Sequence, residues 1–143
     1  MTNEILVIDD NSDIRSLISS ILRDKGFLVR EAKSFEEAMT AINKKLPDVA
    51  VIDVKLDKGD NDGIEILTHI KKLNSEVAVI MISGHANVQM AVDSLKLGAF
   101  EFMQKPFSAE RLLNFVNRAV ENLELKKEKL QFCLLYTSPS PRD

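Results

Sequence analysis

The sequence has a single cysteine, Cys133, no tryptophan and one tyrosine. One thiol makes neither an internal disulfide nor a metal cluster, so a reducing, cytoplasmic setting is expected. No apolar run approaches the roughly 18 residues that span a bilayer, which excludes a membrane-crossing helix. No secretory leader is expected, since Met1-Thr2-Asn3-Glu4 passes straight into an apolar strand. No G-x-G-x-x-G run and no internal repeat occurs, which argues against a dinucleotide fingerprint and a solenoid. There is no basic excess either: the net charge is -3, and a phosphate backbone wants a positive face. What remains is 45% hydrophobic and 29% charged over 143 residues, enough for one globular domain with one site.

Four apolar runs each end on a polar group. Ile5 to Ile8 delivers Asp9 and Asp10, Ala50 to Ile52 delivers Asp53, Val77 to Ile82 delivers Ser83, and Phe100 to Met103 is followed by Lys105. Continuous apolar strands belong to parallel sheets buried on both faces, and open α/β sheets place their ligands at the carboxyl ends of the strands.

Between the runs the spacing turns helical. Ile14, Leu17, Ile18, Ile21 and Leu22 mark a first helix, with Asn11 or Ser12 as its cap and Gly26 as its stop. Phe27 to Val29 reads as a short strand. Ser34 with Glu37 forms a capping box for a helix through Phe35, Ala38, Met39 and Ile42 that ends before Pro47. Ile64, Leu67 and Ile70 mark a third helix with Lys71 and Lys72 at its end. Val88, Ala91, Val92 and Leu95 mark a fourth, closed by Gly98, and Leu112, Phe115, Val116, Ala119, Val120 and Leu123 a fifth, opened by Ser108. The alternation predicts five β-α units, hence a parallel sheet covered on both faces through right-handed crossovers.

Asp9, Asp10 and Asp53 at adjacent strand ends repel one another unless a cation lies between them, and an all-oxygen set selects a hard ion such as Mg²⁺. Lone strand-end aspartates more commonly cap helices and turns. A doublet plus a third acid across a parallel neighbour goes beyond capping. Ser83 alone reads as a helix cap and Lys105 alone as a solvated lysine, although Pro106 fixes the turn after it.

Taken together, Ile5 to Asn11, Ile52-Asp53, Ile82-Ser83 and Lys105-Pro106-Phe107 resemble the receiver domain of two-component response regulators, over about Glu4 to Glu124. Met81 to His85 and Gly98 to Phe107 look like the nitrogen-regulatory, NtrX/NtrC-like type. The resemblance implies a flavodoxin-like (βα)5 fold with strand order 2-1-3-4-5. It implies that Asp53 is the phosphoacceptor, that Asp10, Asp53 and the Lys55 carbonyl hold Mg²⁺ with Asp9 in support, and that Ser83 and Lys105 meet the phosphoryl oxygens. Phe102, three residues before Lys105, would be the switch aromatic, with Phe100 and Phe107 as core. A cis Lys105-Pro106 bond is also implied. The loop departs from the common pattern: Leu56-Asp57 replaces a Met-Pro pair, and Gly63 stands ten residues after Asp53 with Lys58-Gly59-Asp60-Asn61 between, similar to the NtrX pattern.

The function implied is a phosphorelay switch and not a turnover enzyme. A sensor histidine kinase is the donor, and the fourth helix, fifth strand and fifth helix form a face that pairs two copies when phosphorylated and controls transcription. Family members join this domain through a helical linker to an ATPase and a DNA-binding domain. On that reading residues 1–124 are the receiver, 125–132 begin the linker, and 133–143, with Pro139 and Pro141 and no periodicity, are a non-native or disordered tail. A small Mg²⁺-dependent phosphatase with an aspartyl nucleophile is the alternative. Such enzymes carry a second Asp two residues on, where this chain has Lys55. A flavin or nucleotide binder and a constitutive interaction surface rank lower. His85 reads as an exposed loop residue close to Ser83, His69 as inert on a polar helix face, and Met39, Met81, Met90 and Met103 as gap fillers.

Overall fold

The computed structural model describes residues 3–56, 59, 61–84 and 88–137, with side chains through residue 123. Ten elements alternate: β1 (Glu4–Ile8), α1 (Ser12–Asp24), β2 (Leu28–Ala32), α2 (Phe35–Lys44), β3 (Val49–Asp53), α3 (Asp62–Leu73), β4 (Ala78–Ser83), α4 (Val88–Lys96), β5 (Glu101–Gln104) and α5 (Ala109–Thr137). The strands form one parallel sheet in the order β2-β1-β3-β4-β5.

Alternation along the buried strands explains why they read as unbroken apolar runs. Leu6, Ile8, Ala50, Ile52, Val79 and Met81 face a layer with Ala38, Ile42, Ile66, Leu67 and Ile70 of α2 and α3. Their neighbours Ile5, Val7, Val49, Val51, Ile80 and Ile82 face Ile18, Leu22, Leu112, Phe115, Val116 and Ala119 of α1 and α5. With period-two side chains and helices on both sides, every strand position must be apolar until the strand emerges at its end.

The helix punctuation follows from orphan backbone groups. Asn11, rather than Ser12, caps α1, accepting from the amides of Asp13 (2.9 Å) and Ile14 (3.1 Å). Ser34 Oγ accepts from Glu37 N–H at 3.1 Å, and the Glu37 carboxylate reaches one residue further back, to Lys33 N–H at 3.0 Å. Ser108 Oγ accepts from Arg111 N–H at 3.1 Å at the start of α5. Gly26 and Gly98 take positive φ, 91° and 107°, where a Cβ would be strained.

Four features depart from the sequence expectation. β2 continues to Ala32 instead of ending at Val29, because every residue from Leu28 to Ala32 pairs with β1 and Arg30 and Glu31 find charged partners at the sheet edge. α4 forms, but its apolar stripe turns outward: Val88 is 81% exposed, with Val92 and Leu95 also exposed, and Ser94 is its one buried residue among those described. α5 runs to Thr137, into the segment from Cys133 that lacks apolar periodicity, and the first proline beyond it stands at 139. His69, expected to be inert, bonds Asn43 Oδ1 through Nε2 at 2.9 Å, linking α3 to α2.

Candidate functional site

The strand order reverses between β1 and β3, since β1 connects outward to β2 on one side while β3 connects to β4 on the other. The crevice at the carboxyl ends of those two strands is where this architecture leaves room for a ligand. Ile8 lies opposite Ile52 in the pairing of β1 with β3, so Asp9 and Asp10 emerge beside Asp53. Carboxylate oxygens of Asp9, Asp10 and Asp53 all come within 4.8 Å of one another. Asp9 is fully buried, Asp53 nearly so, and Asp10 is exposed.

Lys105 arrives from two strands away. Its backbone continues the β5 ladder, with Lys105 N–H donating to Ser83 O at 2.8 Å. To reach β3 its side chain must span about two strand spacings, on the order of 9 to 10 Å, which the four-carbon stem of lysine allows. Its Nζ lies 3.1 Å from Asp53 Oδ2 and 3.0 Å from Asp9 Oδ2. Asp9 Oδ1 accepts from Asn11 N–H at 2.9 Å, and Asp53 Oδ1 accepts from Lys55 N–H at 3.3 Å. The Lys105-Pro106 bond is cis, as the resemblance implied. Ser83, buried at the end of β4, shares with Asp10, Asp53, Lys55 and Lys105 a cleft of about 450 Å³. Phe102 is half-buried against the α2/α3 layer, one strand over from Met81. His85 and the Lys58-Gly59-Asp60-Asn61 turn, save Gly59 and Asn61, lie outside the described residues.

The electrostatics are unbalanced. Burial, then repulsion from Asp9, pushes the Asp53 carboxyl up to about 6 from its ordinary 3.8, although Lys105 pulls the other way. Burial also works against the Lys105 ammonium, but the attraction of Asp53 and Asp9 outweighs it and holds the lysine above its usual value. One ammonium thus pairs with two of the three carboxylates, Asp9 and Asp53. The all-oxygen donor set and the unmet negative charge fit a hard divalent cation held by Asp9, Asp10 and Asp53.

The positioning roles of two residues escape sequence reasoning. Arg15 in α1 donates from NH1 to the Asp9 carbonyl at 2.9 Å and pairs through Nε with Glu31 Oε1 at 3.2 Å. It stands one helical turn beyond the cap, and only its distance from Asp10 in the chain could have hinted at it. Gly63 in α3 donates its N–H to Val54 O at 2.8 Å and lies against the backbone of Asp53. Arg15→Met is expected to weaken Mg²⁺ binding severalfold in a calorimetric titration, with Arg15→Lys recovering part of the loss. Unchanged affinity would remove Arg15 from the site.

A family model for the response regulator receiver domain matches residues 5–117. The chain belongs to that family. This receiver is 41% identical over 128 residues to nitrogen assimilation regulatory protein NtrX of Azorhizobium caulinodans, covering 90% of this chain and 28% of that protein. It superimposes on the crystal structure of NtrX from Brucella abortus with a TM-score of 0.85 and 41% identity, over 92% of this chain and 30% of that one. A solution structure of the beryllofluoride-activated NtrC4 receiver domain dimer matches with a TM-score of 0.78 and 38% identity, over 84% of this chain and 98% of that one. The receiver therefore spans well under a third of the length of these NtrX proteins, and it is a response regulator domain of the NtrX type. Nothing in these likenesses supports the aspartyl phosphatase alternative. Among the described residues no helix is long and apolar enough to cross a membrane.

Proposed function

We propose that Asp53 is the phosphoacceptor of a cytoplasmic two-component phosphorelay and takes its phosphoryl group from a sensor histidine kinase. In the transfer the phosphorus–nitrogen bond of a phosphohistidine breaks and a bond from phosphorus to Asp53 Oδ forms. The observation that carries this reading is the Lys105 ammonium set between Asp9 and Asp53 at the mouth of an acidic cleft. A carboxylate attacks an anionic phosphoryl donor poorly until the charge on the equatorial oxygens is neutralised. Asp10, Asp53 and the Lys55 carbonyl would hold Mg²⁺, with Asp9 in support directly or through water. When bound, the ion shields the negative charge shared by nucleophile and donor. Lys105 supplies the second positive charge and Ser83 a hydroxyl from the end of β4. The receiver carries out its own phosphorylation and dephosphorylation without being a turnover enzyme.

Phosphorylation adds about 1.5 to 2 negative charges, whose new partners are Ser83 and Lys105. Movement of Ser83 toward them frees space beneath β4 for the Phe102 ring to turn inward. The readout is the α4/β5/α5 face, where Val88, Val92 and Leu95 stand exposed as an apolar stripe of the kind that marks an interface. Two phosphorylated copies pair through it, a reading supported by the dimeric NtrC4 receiver. Residues 125–132 begin a linker to an output domain that acts in nitrogen-responsive transcription, and residues 133–143 are a tail foreign to it.

Incubation with acetyl phosphate tests the proposal. One phosphoryl group should appear on the peptide containing Asp53 when Mg²⁺ is present, and none in Asp53→Asn or with chelator. Label on another residue, or equal labelling of Asp53→Asn, would overturn it. Beryllofluoride should double the mass in solution; a monomer under those conditions would count against the paired face.

A further inference from the structure

The acidic cleft is not lined by polar groups alone. Beside Asp10, Asp53, Ser83 and Lys105 its lining includes the apolar Val54, Leu56 and Met90. Val54 and Leu56 are buried in the core, but Met90 is half-buried and comes from α4. A second cavity, a groove of about 580 Å³ between α3 and α4, also has Met90 in its lining, with Ile64, Leu97, Gln89 and Asp93 among others. The two cavities share Met90 and no other described residue. Met90 therefore stands where the acidic cleft and the α3/α4 groove adjoin.

We infer that Met90 screens the α4 side of the cleft from water and so lengthens the lifetime of the phosphoryl group on Asp53. The inference rests on the acceptor role proposed above. Loss of the group is a hydrolysis: a water oxygen adds to phosphorus, the bond from phosphorus to Asp53 Oδ breaks, the carboxylate is regenerated, and inorganic phosphate leaves carrying the water's protons. An apolar wall slows that step by excluding the attacking molecule. Methionine suits the place because its unbranched, polarisable chain follows a moving wall without leaving a gap. α4 is such a wall, since it buries only Ser94 among its described residues, and the Ser94 hydroxyl has no hydrogen-bond partner. Met90 is a positioning residue here, touching the cleft without entering the chemistry.

The test follows decay of the labelled mass after acetyl phosphate is removed, in Mg²⁺ buffer. Met90→Gln, which keeps the length but admits water, and Met90→Ala, which removes most of the apolar side chain, should each lose label severalfold faster, and Met90→Leu should restore slow decay. Mg²⁺ affinity, measured in parallel by calorimetry, separates this effect from general loosening, because Met90 offers the ion nothing. Independently, Mn²⁺ added to protein with methyl-labelled methionine should broaden the resonance that Met90→Leu removes before it broadens that of Met39. Parental decay in both Met90→Gln and Met90→Ala, or a Met90 methyl untouched by Mn²⁺, would overturn the inference. If the parent protein takes no label, the acceptor reading fails and the lifetime claim with it, while the Mn²⁺ readout still decides whether Met90 borders the cleft.

Discussion

Asp53→Asn should melt on the order of 5 °C above the parent protein in metal-free buffer at neutral pH. The parent keeps a carboxyl whose folded value, about 6, lies above its ordinary 3.8. The native state therefore holds an extra proton between those two values, and stability falls as pH rises through that window. Above it the deficit is complete. Two units correspond to about 3 kcal/mol, and screening by water at the cleft mouth brings the usable part to about 1 to 2 kcal/mol. The amide stands in for the protonated acid, still accepts from Lys105 and never ionises. The gain should shrink as pH drops from 6 and vanish below about 3.8, where both proteins carry a neutral group. Mg²⁺ should narrow it from the other side, by stabilising the parent. Thermal melts across pH, with and without the ion, check all three statements. A gain independent of pH would show that the site is not strained by its charge.

Gly63→Ala should do the opposite and on a larger scale. Alanine is a better helix former than glycine by roughly 0.5 to 1 kcal/mol, so propensity alone predicts a gain within α3. The site forbids it. A Cβ at Gly63 would sit far inside van der Waals contact with the Asp53 carbonyl oxygen, 2.7 Å from Val54 Cα and 2.9 Å from Asp53 C. All three are backbone atoms of the strand end that carries the acceptor, so no side chain can rotate away. Either α3 retreats, breaking the Gly63 N–H to Val54 O bond of 2.8 Å, or Asp53 shifts. Overpacking of this kind costs about 3 kcal/mol, outweighing the propensity gain and lowering the melting midpoint on the order of 10 °C. Labelling of Asp53 should fall as well, since the acceptor moves relative to Lys105. A melt within a degree or two of the parent would show that the helix yields without cost.

Much of this was legible beforehand because it is written in local chemistry. Four apolar runs that each stop on a carboxylate, a hydroxyl or an ammonium could only be strands of a doubly covered parallel sheet, and Asp9, Asp10, Asp53, Ser83 and Lys105 all emerge at one end of it. Gly26 and Gly98 take the left-handed geometry that their positions after helical spacing demanded. The direction of α4 was not legible. Val88, Val92 and Leu95 have the spacing of a core face, yet they point to water, because periodicity reports that one side of a helix is apolar and not what lies beside it.

Gly63 shows the same boundary from the other side. Counting residues placed it ten after Asp53, just past a loop of unusual length, and only packing revealed a glycine pressed on the acceptor's own backbone. Arg15 and Met90 are further cases: a guanidinium on a carbonyl and a thioether between two cavities leave no periodic trace. The order of residues alone determined the strands, their caps and the set of reactive groups, since these follow from short-range hydrophobicity and hydrogen-bonding need. The tertiary structure decided how far apart those groups stand, which charges go uncompensated and which apolar face stays wet, because each depends on contacts between elements distant in the chain.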